Sequence, residues 1–180
     1  MLQLPRKSFF FVRHGQTDVN ADPHIKRVDY DLPLNAKGQQ QALAARNVVQ
    51  RLSFDKVKCS PIQRAQQTKQ LMLEGMDLEH QDDDRLSECC AEIWNKMVRL
   101  EDDAEHEVCA GVLSFLDRVF EGVRSALAEE GQVLVVAHGG VHWAICYHLS
   151  IANHPWKIGN CEVVHFEPIG EVEWRATVLG

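Results

Sequence analysis

The 180-residue chain predicts an α/β fold: a three-layer α/β/α sandwich around a mostly parallel central sheet. Three observations carry that prediction. Apolar runs of strand length alternate with longer segments whose apolar residues recur at helical spacing. Two of the runs, in "KSFFFVRHG" and "QVLVVAHGG", are unbroken, as in strands covered on both faces. Both finish in histidine and glycine. No internal repeat or low-complexity linker divides the chain, so residues 1–180 are read as one domain.

Taken in order, "KSFFFV" is the first strand, followed by a polar stretch from Gly15 to about Asn35. "NAKGQQQALAARNVVQRL" places Ala42, Leu43, Ala45, Val48, Val49 and Leu52 at helical spacing, with Asn35 as N-cap. "DKVKCS" is the second strand. Ser60-Pro61 reads as an N-cap with proline at the first helical position, opening a helix that Gly75 ends. "LEHQDDDRLSE" holds a short strand ending near Glu88. Residues 96–107 are so highly charged that they read as a surface connection. A long amphipathic helix follows, with Val112, Leu116, Val119, Phe120, Val123 and Leu127 on one stripe. "QVLVVA" is the most strand-like segment, and "VHWAICYHL" is the helix after it. "CEVVHFEP" and "EVEWRATVL" close the chain as strands joined by a turn around Pro168–Gly170.

Composition narrows the function classes. A 45% hydrophobic and 25% charged chain is that of a globular protein. The net charge of −7 argues against a nucleic-acid partner, which demands a basic face. No apolar run approaches the roughly 20 residues of a membrane helix, and the start, broken by Pro5, is not a secretory signal. The six cysteines show no C-x-x-C pair and no zinc-like doublets, so they read as reduced thiols of a cytoplasmic protein. Cys59, Cys109 and Cys146 fall in apolar contexts, as core fillers.

The candidate chemistry lies in the doubled strand–His–Gly pattern. Ligands of open α/β sheets bind beyond the carboxyl ends of the strands, so His14 and His138 can meet in one crevice. Gly139-Gly140 opens a helix, whose first amides and positive dipole end favour an anion. Arg13 stands beside His14, and Arg64, one turn into a helix after a strand, can reach the same crevice. Two arginines grip phosphate oxygens bidentately. Singly, each residue has a blander reading: a hydrogen-bonded histidine, an ion pair, a solvated helix face. Together they support an anion site.

The stretches "VRHGQTDVN", "DLPLNAKGQQQALAA", "CSPIQRAQQT", "DDRLSE" and "VVAHGGVHWAI" stand in that order across most of the chain. On them the sequence resembles the histidine phosphatase superfamily, the phosphoglycerate mutase-like family, in its R-H-G-[EQ]-T branch. R-H-G alone is a weak pattern; the full set is highly specific. The resemblance implies a phosphoglycerate mutase-like fold and a phosphatase that acts on phosphomonoesters through a phosphohistidine. His14 would be the nucleophile, with Arg13, Arg64 and His138 as the charged pocket around the phosphoryl oxygens. Thr17, Asn20 and the Gly139 amide would add hydrogen bonds, and Glu88 would protonate the leaving oxygen. No metal or other cofactor is implied. The substrate would be a small phosphorylated molecule, with a phosphoprotein also suited; no nucleic acid or membrane partner is expected, and the oligomeric state is not legible.

The chain departs from the family after the acid. Members continue x-x-x-G-x-W-E-G; here "ECCAEIWNK" keeps Trp94 but has Glu92 in place of the glycine, and Asn95-Lys96 in place of Glu-Gly. Glu92 therefore stands as a rival acid, one helical turn from Glu88. The insert around residues 89–108 is short, which implies a reduced cap and an open pocket, and the mutase-type E-R-x-Y-G stretch is absent. Cys89-Cys90 beside the acid reads as two packed side chains rather than a redox switch, since adjacent cysteines form a strained bond at best. Two alternatives remain: a phosphoglycerate mutase-type phosphotransferase using the same pocket, and a catalytically silent phosphate-binding module.

Overall fold

The structure, a computed structural model, describes residues 3–22, 24, 31–102 and 108–180. Six strands form one sheet: β1 (Phe9–Arg13), β2 (Lys56–Cys59), β3 (Glu79–Asp82), β4 (Val133–Ala137), β5 (Val163–Ile169) and β6 (Glu173–Leu179), in the order β3-β2-β4-β1-β5-β6. Neighbours from β3 to β1 pair in parallel. β5 runs antiparallel to β1, and β6 antiparallel to β5. The helices are α1 (Asp18–Ala21), α2 (Ala36–Val49), α3 (Gln63–Leu73), α4 (Ala91–Asp102), α5 (Ala110–Ala128) and α6 (Gly139–His148).

The three layers follow from the alternation of side chains along a strand. Phe9 and Phe11 face one way, into a core with Val135, Val164, Phe166 and the buried stripe of α5 and α6. Phe10 and Val12 face the other way, into a core with Leu134, Val136 and the buried residues of α2 and α3. Each central strand is thus apolar on both faces, which is why "FFFV" and "VLVVA" read as unbroken runs. Exposed β3, "EHQD", instead carries charge along the sheet's edge.

The α/β sandwich stands as expected. Asn35 caps α2, its side chain accepting from the Gly38 amide. The expected stripe of α5 is buried, with Phe120 partly so. Three local expectations are corrected. Ser60-Pro61 does not cap α3, which begins at Gln63 with Ile62 as N-cap. The Ser60 hydroxyl is drawn instead toward His138, 2.7 Å away. The strand in "LEHQDDDRLSE" ends at Asp82, because the Asp83 side chain accepts from the Arg85 amide and starts a 3₁₀ turn over Asp84–Leu86. The charged stretch 96–107 continues α4 as far as Asp102 rather than forming a connection; residues 103–107 lie outside the described residues. Ile93, Trp94, Met97 and Leu100 recur at helical spacing there and pack on the α5–α6 core, with Met97 fully buried. The density of charge between them had masked that period.

Candidate active site

β1, β4 and β2 lie side by side, and each delivers one polar residue at its carboxyl end. Arg13 pairs with Ala137 in the register, so His14 and His138 leave neighbouring strands at the same level. Their rings stand 5.2 Å apart between centroids. Ser60 leaves β2 beside them, its amide donating to the Val136 carbonyl at 3.0 Å. All three side chains are buried.

The His14 ring is fixed at both nitrogens. Nδ1 lies 2.7 Å from the Gly15 carbonyl oxygen, which only accepts, so Nδ1 carries the proton. Nε2 accepts from Arg64 Nε at 3.2 Å. The lone pair therefore sits on Nε2, facing the cleft side where the guanidinium lies. Arg64 is buried on the first turn of α3, as its place in the sequence implied. One turn on, Thr68 ties this helix to the loop. Its hydroxyl donates to the Arg64 carbonyl at 2.7 Å and accepts from the Gly15 amide at 3.0 Å.

The loop after β1 is pressed onto α2. The Asn35 amide donates to the Gln16 carbonyl, and the Gln41 side chain accepts from the Gln16 amide. A Cβ at Gly38 would lie 2.1 Å from the Gln16 carbonyl oxygen, so only glycine permits this approach. Thr17 then donates through its amide and hydroxyl to Asn20 Oδ1, at 3.2 and 3.1 Å, which turns Asn20 back toward the cleft. Asn160 closes the loop from the far side by donating to the His14 carbonyl at 3.0 Å.

Arg13 reaches over the same cleft. Nη1 donates to the Ile158 carbonyl, and Nε is buried with no hydrogen-bond partner among the described residues. His138 is fully buried. Burial pushes its pKa well below 6.5, and His14, Arg64 and Arg13 add repulsion in the same direction. Both effects favour its neutral form, and one ring nitrogen shares a hydrogen bond with Ser60.

Glu88 lies across the cleft, its carboxyl accepting from its neighbour's amide, Cys89 N, at 3.1 Å and from Gly140 N, at the start of α6, at 3.3 Å. The rival Glu92 lies on the outer face of α4, its side chain 74% exposed and paired with Lys96 at 2.7 Å. Geometry thus separates the two carboxyls that the sequence left open. Cys89 is buried and lines the cleft, its thiol pushed up by burial and by Glu88, whereas Cys90 is exposed.

The cleft of about 260 Å³ gathers Arg13, His14, Thr17, Asn20, Arg64, Glu88 and Gly139, with Trp94, Leu32 and Lys157 at its sides. His138 stands behind His14 rather than lining it. Arg13, Arg64 and Lys157 against the one Glu88 carboxyl group make the cleft locally cationic in a chain of net charge −7. Such an arrangement can hold a dianion against a neutral imidazole nitrogen, with a carboxyl opposite. Residues the sequence reading missed are Ser60, Thr68 and Asn160. The first two lie in "CSPIQRAQQT", so a signal existed; Asn160 carries none.

Residues 9–178 match the family model of the histidine phosphatase superfamily (branch 1). The chain is 27% identical over 191 residues to an agropine synthesis reductase of Rhizobium rhizogenes, covering 94% of this chain and 41% of the relative. A second protein of that name and organism is covered to 39%, so the chain spans about two fifths of the length of these relatives. It is 30% identical over 150 residues to the adenosylcobalamin/alpha-ribazole phosphatase of Escherichia coli (strain K12), covering 73% of each. A solved phosphoglycerate mutase of Thermus thermophilus superposes with a TM-score of 0.68 at 20% identity, over 97% of this chain and 99% of that one.

Proposed function

Because the chain belongs to the histidine phosphatase superfamily (branch 1), we propose that it hydrolyses phosphomonoesters through a phosphorylated His14. The observation that carries this reading is the imidazole itself. With Nδ1 committed to the Gly15 carbonyl, the only lone pair is on Nε2, beside Arg64 and in the cleft that holds Glu88.

The substrate phosphoryl group enters between Arg13 and Arg64, which exchange their present partners for its equatorial oxygens; Thr17, Asn20 and the Gly139 amide add hydrogen bonds. His14 Nε2 attacks phosphorus, the P–O bond to the leaving group breaks, and the Glu88 carboxyl gives its proton to the departing oxygen. Water then attacks the phosphohistidine, gives its proton to the Glu88 carboxylate and breaks the P–N bond, which restores neutral His14. The incoming negative charge offsets the repulsion that Arg13 and Arg64 exert on His138 from behind His14, which favours uptake of a proton from solvent by that ring.

The same reading takes residues 1–180 as one domain with α4 as a reduced cap, small phosphorylated molecules as substrates, and a cytoplasmic setting. The E. coli relative's name points to alpha-ribazole phosphate as one member of the test panel. His14→Ala is expected to lower turnover of a phosphomonoester panel by about 10³-fold or more. The wild-type protein, quenched in alkali, should gain the mass of one phosphoryl group, and the variant should not. Unchanged turnover in His14→Ala would overturn the mechanism. The mutase alternative is separated in the same assay: a bisphosphorylated primer would be required, and phosphate would return to an acceptor instead of appearing free.

A further inference from the structure

We infer that Arg118 is a positioning residue for the acid step, holding the segment that carries Glu88. The inference rests on the reading of Glu88 as proton donor. It comes from a contact that neither the sequence motifs nor the pocket lining includes.

Arg118 lies on α5, between the buried Leu116 and Val119. Its Nη1 donates to the carbonyls of Asp84 and Arg85, both at 2.9 Å, and its Nη2 to the carbonyl of Ser87 at 2.8 Å. These groups span the 3₁₀ turn and the residue just before Glu88. The planar fork thus fixes the peptide planes leading into the acid from two separated nitrogens, which the single rotatable nitrogen of an ammonium could not do. The guanidinium is itself steadied against the Phe115 ring, 5.0 Å from its centroid. One turn further along α5, a Cβ at Gly122 would come within 3.0 Å of Arg85 Cβ, so the turn sits directly on the helix.

α5 is therefore the rigid floor under the acid. Glu88 receives its direction from two sides: amides at Cys89 and Gly140 hold its carboxyl, and Arg118 holds its backbone. Without the fork, the segment keeps the Asp83–Arg85 pairing and the Arg85 contact with the Glu121 carbonyl, but loses the three hydrogen bonds that hold its peptide planes to α5.

The test compares leaving groups. p-Nitrophenyl phosphate releases a phenolate that needs no proton, whereas glycerol 2-phosphate releases an alkoxide that does. In Arg118→Met, kcat/KM for glycerol 2-phosphate should fall by about 10-fold or more, a part of the 10²–10⁴-fold that a positioned acid supplies. The p-nitrophenyl phosphate value should stay within about threefold, and Arg118→Lys should recover little of the loss. Adding Arg118→Met to Glu88→Gln should lower the glycerol 2-phosphate rate no further. Equal losses on both substrates, or an additive loss in the double variant, would reduce Arg118 to a structural residue and overturn the inference. If Arg118→Met fails to fold, Arg118→Lys decides by the same two ratios. If Glu88→Gln itself shows no added dependence on the leaving group, the acid assignment fails, a result distinct from failure of Arg118 alone.

Discussion

Replacing Gly140 with alanine aims a methyl group at Glu88. The new Cβ would lie 2.2 Å from Glu88 Oε1, 3.3 Å from its Cδ and 3.1 Å from Cys89 Sγ, where ordinary contact is 3.4–4 Å. The carboxyl must withdraw by about 1 Å, and misplacement on that scale costs on the order of 10²-fold in rate. Folding is largely spared, because the nearest atom is the far end of a flexible side chain and no backbone atom stands in the way. Alanine is also the better helix former by about 0.8–1.0 kcal/mol, which offsets part of the crowding. The variant should therefore keep its melting temperature within a few degrees. On glycerol 2-phosphate kcat/KM should drop by about 10²-fold, and on p-nitrophenyl phosphate by much less. The measurement is steady-state kinetics on both esters beside a thermal melt. A folded Gly140→Ala protein with an undiminished glycerol 2-phosphate rate would show that the carboxyl is not needed where it stands.

Two further outcomes follow from the buried groups. Gly38→Ala meets backbone rather than a side chain, 2.1 Å from the Gln16 carbonyl oxygen, so α2 and the loop after β1 must part. Overpacking of this kind costs about 1–3 kcal/mol, read as a lower urea midpoint; an unchanged midpoint would refute the close approach. Acid should destabilise the fold before its carboxylates titrate. Burial lowers the pKa of His142 from 6.5 to about 4, and lowers His138 and His154 in the same direction. The unfolded chain takes up these protons below pH 6.5 while the folded chain refuses them, so stability is full above that value and falls as pH drops toward 4. His142 alone accounts for about 3 kcal/mol of that loss, at 1.36 kcal/mol per tenfold. Equal urea midpoints at pH 7.5 and pH 5 would contradict it.

The sequence carried far where a residue's neighbours are its own. "FFFV" and "VLVVA" name central strands because burial on two faces leaves no polar position, and Asn35 caps α2 through an amide three residues on. His14, Arg64 and Glu88 were legible as a set because each follows a recognisable local stretch. α4 was not, since Ile93, Trp94, Met97 and Leu100 become a face only when α5 and α6 are there to cover them.

The order of residues is enough for the alternation of strands and helices, the two histidines at strand ends, and the family that carries them. Which groups face each other depends on the folded chain. Glu88 and Glu92 are four residues apart, yet one turns to the Gly140 amide and the other to solvent beside Lys96. Nothing in "AGVLSFLDRVFE" marks Arg118, whose partners lie more than thirty residues earlier in the chain. Local pattern sets the conformation of a segment. The hydrogen bonds that join His14 to Arg64 and Glu88 to Gly140 reach residues remote in sequence, and those exist only once the sheet has brought its strand ends together.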